Sequence, residues 1–227
     1  MVISSSHRVH LAAVRGLRGG TVPWWVLAAV AALSLAVASG LTAALAWDAS
    51  RVGPAVRDVL AVARAGDPLP YYTGWVTGLG VVGWISAAAA GVCGGALTWR
   101  TGDRTTGRAL VLGGVVSAAM GVDDLFMFHD GVLRERGVPE LVTMGLLAAA
   151  ALVWGLTHRR VLLRGDEAVL LVLAGAWFAH SLLVEELGGL LFHEEASKAA
   201  AILCWTAWFW VRAVRALRDL PALDDRD

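Results

Sequence analysis

Long apolar stretches alternate with short polar connections along most of the chain. A membrane-spanning helix needs about 20 predominantly apolar residues, because each backbone N–H and C=O must find a partner within the helix where water is absent. Six stretches meet this requirement, and the fourth is the shortest: Trp24–Trp47, Gly74–Trp99, Arg108–His129, Glu140–Thr157, Ala168–Phe192 and Ser197–Leu217. The pattern predicts an all-α bundle of six transmembrane helices over residues 24–217, between tails of residues 1–23 and 218–227.

The first apolar stretch is too long for the core of a signal peptide, so it is read as a retained span. Tryptophans lie at the predicted span ends, where an indole ring prefers the level of the lipid headgroups. They are Trp24, Trp25, Trp47, Trp75 and Trp99.

The longest connection covers residues 48–73. Within it, Ala55–Ala65 interleaves valines with Arg57, Asp58 and Arg64. This mixture fits either a short amphipathic helix on the membrane surface or a plain loop.

Lys and Arg are unevenly divided between alternate connections. The N-terminal tail, the second and fourth connections and the C-terminal region hold three, three, three and four of them, against three, two and one in the other connections. The positive-inside rule therefore predicts that both termini lie in the cytoplasm and that the protein is a multi-pass protein of the plasma (inner) membrane.

Composition agrees with a membrane protein, because 57% of the residues are hydrophobic and 17% are charged. The formal net charge is zero, so no overall field favours nucleic acid as a partner.

Cys93 and Cys204 lie in apolar stretches and are expected to be small buried hydrophobes without a disulfide framework. Glycines within the spans indicate close helix packing: Gly91, Gly94, Gly95, Gly113 and Gly114.

Two polar motifs interrupt the third and fifth spans, and each is an acidic pair followed by a histidine beside another acid. The third span holds Asp123, Asp124, His129 and Asp130, and the fifth holds Glu185, Glu186 and then His193. Both acidic pairs lie about 15 to 17 residues, or some 22 to 25 Å, along helices that run in the same direction. The two motifs therefore indicate one site in the extracytoplasmic half of the membrane.

Helical geometry selects which side chains share a face. Asp123 is nearly in line with Asp130, and Glu186 with His193, whereas His129 points away from Asp123 if the helix continues that far. His180 lies on another face from Glu186.

Ionised carboxylates inside a bilayer cost several kcal/mol each, and neighbouring acids repel one another. A divalent metal removes both problems, and mixed carboxylate and histidine ligands favour Fe, Mn or Zn over Mg or Ca. We therefore predict a metal site with Asp123 and Glu186 as the catalytic residues. The predicted ligands are Asp123, Asp124, His129, Asp130, Glu185, Glu186 and His193.

Structural interpretations stand beside some of these assignments. Glu194, Glu195 and Lys198 fit a solvated loop between the fifth and sixth spans as well as they fit a site. The aromatic run of the last span favours packing or lipid contact over a ligand cage: Trp205, Trp208, Phe209 and Trp210.

Together these patterns favour a metal-dependent membrane enzyme that acts on a lipid or an isoprenoid-like substrate, with membrane lipids as its surroundings. Two other classes remain open. One is a cation- or proton-coupled transporter or channel subunit, and the other is a membrane scaffold or assembly subunit. Oligomerisation is compatible with all three.

Overall fold

The computed structural model describes residues 22–57, 59–64, 66, 69–186 and 191–220, and this part of the chain is helical without strands. The helices are α1 (Trp24–Trp47), α2 (Ala49–Val56), α3 (Val59–Arg64), α4 (Trp75–Arg100), α5 (Arg104–Phe126), α6 (Glu140–Leu162), α7 (Ala168–Glu186) and α8 (Leu191–Arg218). Short helices α2 and α3 connect the first two long ones, and a π-helical turn (Phe128–Val132) and a 3-10 turn (Arg134–Arg136) follow α5.

Within these ranges, five helices are long and apolar enough to cross a membrane, namely α1, α4, α5, α6 and the part of α8 from His193 onward. The apolar part of α7, residues 168–184, is shorter. The predicted helical bundle is therefore confirmed.

Several helix ends differ from the predicted spans. The fourth long helix extends past Thr157 to Leu162, so it is not the shortest, and α8 begins at Leu191 instead of Ser197. A prediction from hydropathy places the end of a span where charged residues begin, but the helix itself can continue through those residues. Arg159 and Arg160 in the last turn of α6 even favour that turn, because cations stabilise the negative end of a helix dipole.

The connection between α1 and α4 is helical in two pieces. Asp48 begins α2 by accepting a hydrogen bond from the Arg51 backbone N–H at 3.1 Å, and the backbone of Arg57 is extended after α2 ends. Neither a single helix nor a plain loop over Ala55–Ala65 describes this connection, and Asp58 and Ala65 lie outside the described residues.

Glycines bring α4 into backbone contact with its neighbours, as the sequence predicted. A Cβ atom at Gly91 would lie 2.9 Å from the Cα atom of Gly114 on α5, and one at Gly94 would lie 2.9 Å from the Cα atom of Ala213 on α8. Such distances leave no room for a side chain. Helices α4, α5 and α8 therefore form the tightly packed centre of the bundle.

Aromatic side chains fill this centre, and the indole of Trp205 satisfies one of its polar groups. Trp205, Trp208 and Phe209 are buried, which confirms the packing interpretation for these three residues. The indole N–H of Trp205 donates to the Ser117 hydroxyl at 2.8 Å, and that hydroxyl donates to the Gly113 carbonyl at 2.9 Å. Of the cysteines, Cys204 is buried, whereas Cys93 is exposed, contrary to the prediction.

Candidate metal centre

The third long helix ends before the histidine of its polar motif. Met127 has φ 50°, in the left-handed region, and its backbone N–H bonds to the Asp123 carbonyl as the helix closes. The π-helical turn then begins at Phe128. The prediction that this helix continues to His129 is therefore wrong, and the chain turns back towards the last turn of α5.

This reversal brings His129 onto Asp123. Their side chains are joined by a hydrogen bond of 2.6 Å between His129 Nδ1 and Asp123 Oδ2, and the His129 backbone N–H donates to Asp123 Oδ1 at 3.2 Å. Both residues are buried. The expectation that His129 points away from Asp123 assumed a continuous helix, and it was wrong for that reason.

The hydrogen bond fixes the chemistry of the imidazole. With Asp123 ionised, Nδ1 carries the hydrogen, so Nε2 is left with a lone pair that can bind a metal or accept a proton. The hydrogen bond to Asp123 raises the pKa of His129, and burial opposes that increase. The pair thus resembles the carboxylate–histidine arrangement that orients metal-binding histidines.

Asp124 connects three helices. The Trp84 indole N–H on α4 donates to Asp124 Oδ2 at 3.0 Å, and the Lys198 ammonium on α8 lies 3.9 Å from Asp124 Oδ1. Lys198 belongs to helix α8, so the loop alternative does not hold for this residue.

Neither partner of Asp124 was identified from the sequence, although each has an unusual feature in the sequence. Trp84 is one of the tryptophans far from a predicted span end, and Lys198 is the only lysine of the chain.

Asp123, Asp124 and His129 form a group that can hold a metal ion, because one ligand atom from each lies within 4.8 Å of the others. Among the described side chains, His193 is not part of this group: it is exposed near the start of α8, where its carbonyl accepts a hydrogen bond from the Ser197 hydroxyl at 2.6 Å. His180 bonds to the same hydroxyl at 2.8 Å.

The side chains of the other predicted ligands lie outside the described part of the structure. Asp130 belongs to the π-helical turn, and Glu185 and Glu186 are the last two residues of α7.

An apolar groove of about 470 Å³ lies between α1, α4 and α8. A small cavity of about 20 Å³, bordered by Asp124, Glu195 and Lys198, adjoins it. The groove and the cavity share four lining residues: Val76, Gly80, Ala199 and Ile202. The acidic end of the site therefore borders an apolar surface large enough for a hydrocarbon chain.

Comparison with known proteins gives one match. A family model described as Domain of unknown function (DUF8692) matches residues 24–212, a range that includes every residue of the Asp–Asp–His group. No curated protein matches the chain, and no solved structure matches it.

Proposed function

The chain belongs to the DUF8692 family, and we propose that it is a metal-dependent membrane enzyme that acts on a lipid or an isoprenoid-like substrate. His129 and Asp124 bind the metal, and Asp123 orients His129 while remaining within reach as a ligand. Asp130, Glu185 and Glu186 complete the proposed centre. His193 would have to turn inward from its exposed position to join them.

The observation that carries this proposal is the buried Asp123–His129 pair with Asp124 beside it. Buried carboxylates are retained in an apolar bundle only when they are paired, and a pair built for stability alone needs no third acid. A bound divalent metal offsets the charge of the two aspartates and supplies a Lewis acid that can activate water. The Asp123 hydrogen bond keeps His129 Nε2 directed to one position, either as ligand or as proton acceptor.

Helix length and charge support the proposed membrane placement. Helix α7 has 19 residues, which at about 1.5 Å per residue reach about 28 Å, close to the hydrocarbon thickness of about 30 Å. We include α7 as the sixth span, with both termini in the cytoplasm of a plasma-membrane protein. The Asp–Asp–His group follows at the extracytoplasmic end of α5, and the basic ends of the helices face the cytoplasm.

The apolar groove supports a substrate with a hydrocarbon chain. Its walls are almost entirely apolar, and its end borders Asp124 and Lys198. A substrate chain can lie in the groove while a polar group approaches the acids, although the cavity beside Asp124 now has room for about one water molecule.

Metal analysis of detergent-purified protein tests the proposal. We expect about one or more equivalents of Fe, Mn or Zn in the wild type, and loss of that metal in an Asp124→Asn/His129→Gln variant at equal folded yield. His158→Gln is the matched control, because His158 lies on α6 and bonds to the Trp154 carbonyl. A wild type that stays free of metal after incubation with each ion contradicts the proposal.

A second candidate function has one observation in its favour. The ammonium of Lys198 lies 3.9 Å from Asp124, and intramembrane acid–base pairs are common in cation- and proton-coupled transporters. If no metal binds, uptake of protons or cations into vesicles containing the protein, and its loss in Lys198→Met, would support transport. Absence of both metal and transport would favour the scaffold class.

A further inference from the structure

A second polar cavity lies at the opposite end of the bundle from the Asp–Asp–His group. It has a volume of about 430 Å³ and is bordered by the end of α4, the start of α5, the α6–α7 turn and the end of α8. Along α5, Thr106 at its wall is 17 residues, or about 25 Å, from Asp123. The cavity is therefore separate from the proposed metal centre.

Two arginines of a buried ion triad, Arg212 and Arg215, form the floor of this cavity. Their partner Glu167 is fully buried and forms an ion pair with each, with Arg212 Nη1 at 3.0 Å from Oε1 and Arg215 Nη1 at 2.6 Å from Oε2. One carboxylate faces two guanidinium groups, so the triad keeps one positive charge. The turn is shaped for this contact, because Gly165 has φ +93° and a Cβ there would lie 2.7 Å from Glu167 Oε2.

Arg212 is held in place from two more sides. Its Nη2 donates to the Val161 carbonyl at 2.5 Å, and its guanidinium lies 5.4 Å from the centre of the Trp208 ring. The Nε atoms of Arg212 and Arg215 are buried and make no hydrogen bond with the described residues. The floor thus presents guanidinium groups that are held in place by ion pairs and, for Arg212, by a carbonyl group and an indole ring.

Two more arginines border the cavity. They are Arg164, whose charge helps to lower the pKa of Asp103, and Arg218; neither is a partner of Glu167. Three aspartates also border it, but Asp103 is engaged, because it accepts hydrogen bonds from the backbone and hydroxyl of Thr106 at 3.0 and 2.6 Å. Asp166 and Asp219 are the other two, so the cavity has little net charge, and directed donors rather than overall charge would select its ligand.

From this arrangement we infer that the cavity binds a phosphate group. Guanidinium groups match phosphate oxygens in geometry and charge, and four arginines border this one cavity. Exposed Trp99, at the end of α4 on the same side, is typical of headgroup level. A phospholipid headgroup and free phosphate share this chemistry.

Thermal unfolding of the full chain in detergent tests the inference. Inorganic phosphate, or a short-chain phosphatidylglycerol, is compared with chloride at equal ionic strength. We expect at least one of them to raise the unfolding midpoint, and the apparent affinity to fall about tenfold or more in Arg164→Gln/Arg218→Gln. Arg100→Gln is the matched control, since Arg100 is exposed on the same side but does not border the cavity.

The outcomes separate the two sources. A shift with both probes identifies the phosphate group itself, and a shift with the lipid alone identifies a headgroup that needs its glycerol or chains. No shift with either probe, or an equal shift in the double variant, overturns the inference. Because neither arginine contacts Glu167, the double variant is expected to keep the wild-type midpoint without ligand.

Discussion

The Asp123–His129 contact makes a prediction that separates the observed turn from a continuous helix. Six residues apart on a regular helix, the two side chains would point about 120° apart and would not interact. In the structure they share a buried hydrogen bond of 2.6 Å. A double-mutant cycle with Asp123→Ala and His129→Ala therefore measures whether the chain reverses at Met127.

The expected coupling follows from the contacts. A hydrogen bond to a charged group contributes about 1.5–3 kcal/mol, so the two substitutions should be non-additive by that amount in the free energy of unfolding. Asp123→Ala alone should cost more than His129→Ala, because it also leaves the His129 backbone N–H without its acceptor. That second loss is worth about 1–3 kcal/mol for a buried donor.

Reversible unfolding in mixed detergent micelles, followed by tryptophan fluorescence, provides the measurement. The control cycle pairs Asp123→Ala with His158→Ala, because His158 lies on α6 and bonds to the Trp154 carbonyl. These two changes should add within about 0.5 kcal/mol. A coupling between Asp123 and His129 no larger than in this control would refute the reversal and the orientation of His129 derived from it.

Two further predictions concern helix packing and capping. Gly91→Ala should lower the free energy of unfolding by about 1–2 kcal/mol, because its Cβ would lie 2.9 Å from Gly114. Gly145→Ala should raise the free energy of unfolding by about 0.5–1 kcal/mol, because Gly145 has open space around it. Equal effects of the two substitutions in chemical unfolding would contradict the packing. Asp103→Ala should cost about 1 kcal/mol at neutral pH. Hydrogen bonds from Thr106 lower the pKa of Asp103, so this contribution is present above the usual aspartate pKa of about 3.9 and is lost as pH falls through the lowered value. Unfolding curves of wild type and variant that stay equally separated at acid pH would contradict it.

The bundle could be predicted because hydropathy measures the length of apolar segments, and that length is what a membrane requires. The ends of the helices were harder to predict from the sequence than their number. The first turns of α8 contain Glu194, Glu195 and Lys198, so their average hydropathy is low and a solvated loop fitted them as well as a site. In the structure the helix continues through them, and Ser197 and Ser181 hydroxyls bond to carbonyls of its first turns.

The site was predicted in its residue types but not in its pairings. Burial cost pointed to Asp123 and Asp124 from the sequence alone. Their partners depend on features that sequence periodicity does not contain. His129 reaches Asp123 only because a methionine adopts a positive φ, and Lys198 reaches Asp124 only because α5 and α8 both pack against α4.

The turn at Met127 also determines when the centre is assembled. A methionine in the left-handed region lacks the conformational freedom of glycine, so the reversal depends on contacts such as the two hydrogen bonds from His129 to Asp123. These contacts exist within the folded chain itself, so His129 is already oriented before any ligand arrives. A preorganised group of this kind loses little conformational entropy on binding, which favours affinity. It also restricts the range of orientations that the His129 side chain can adopt.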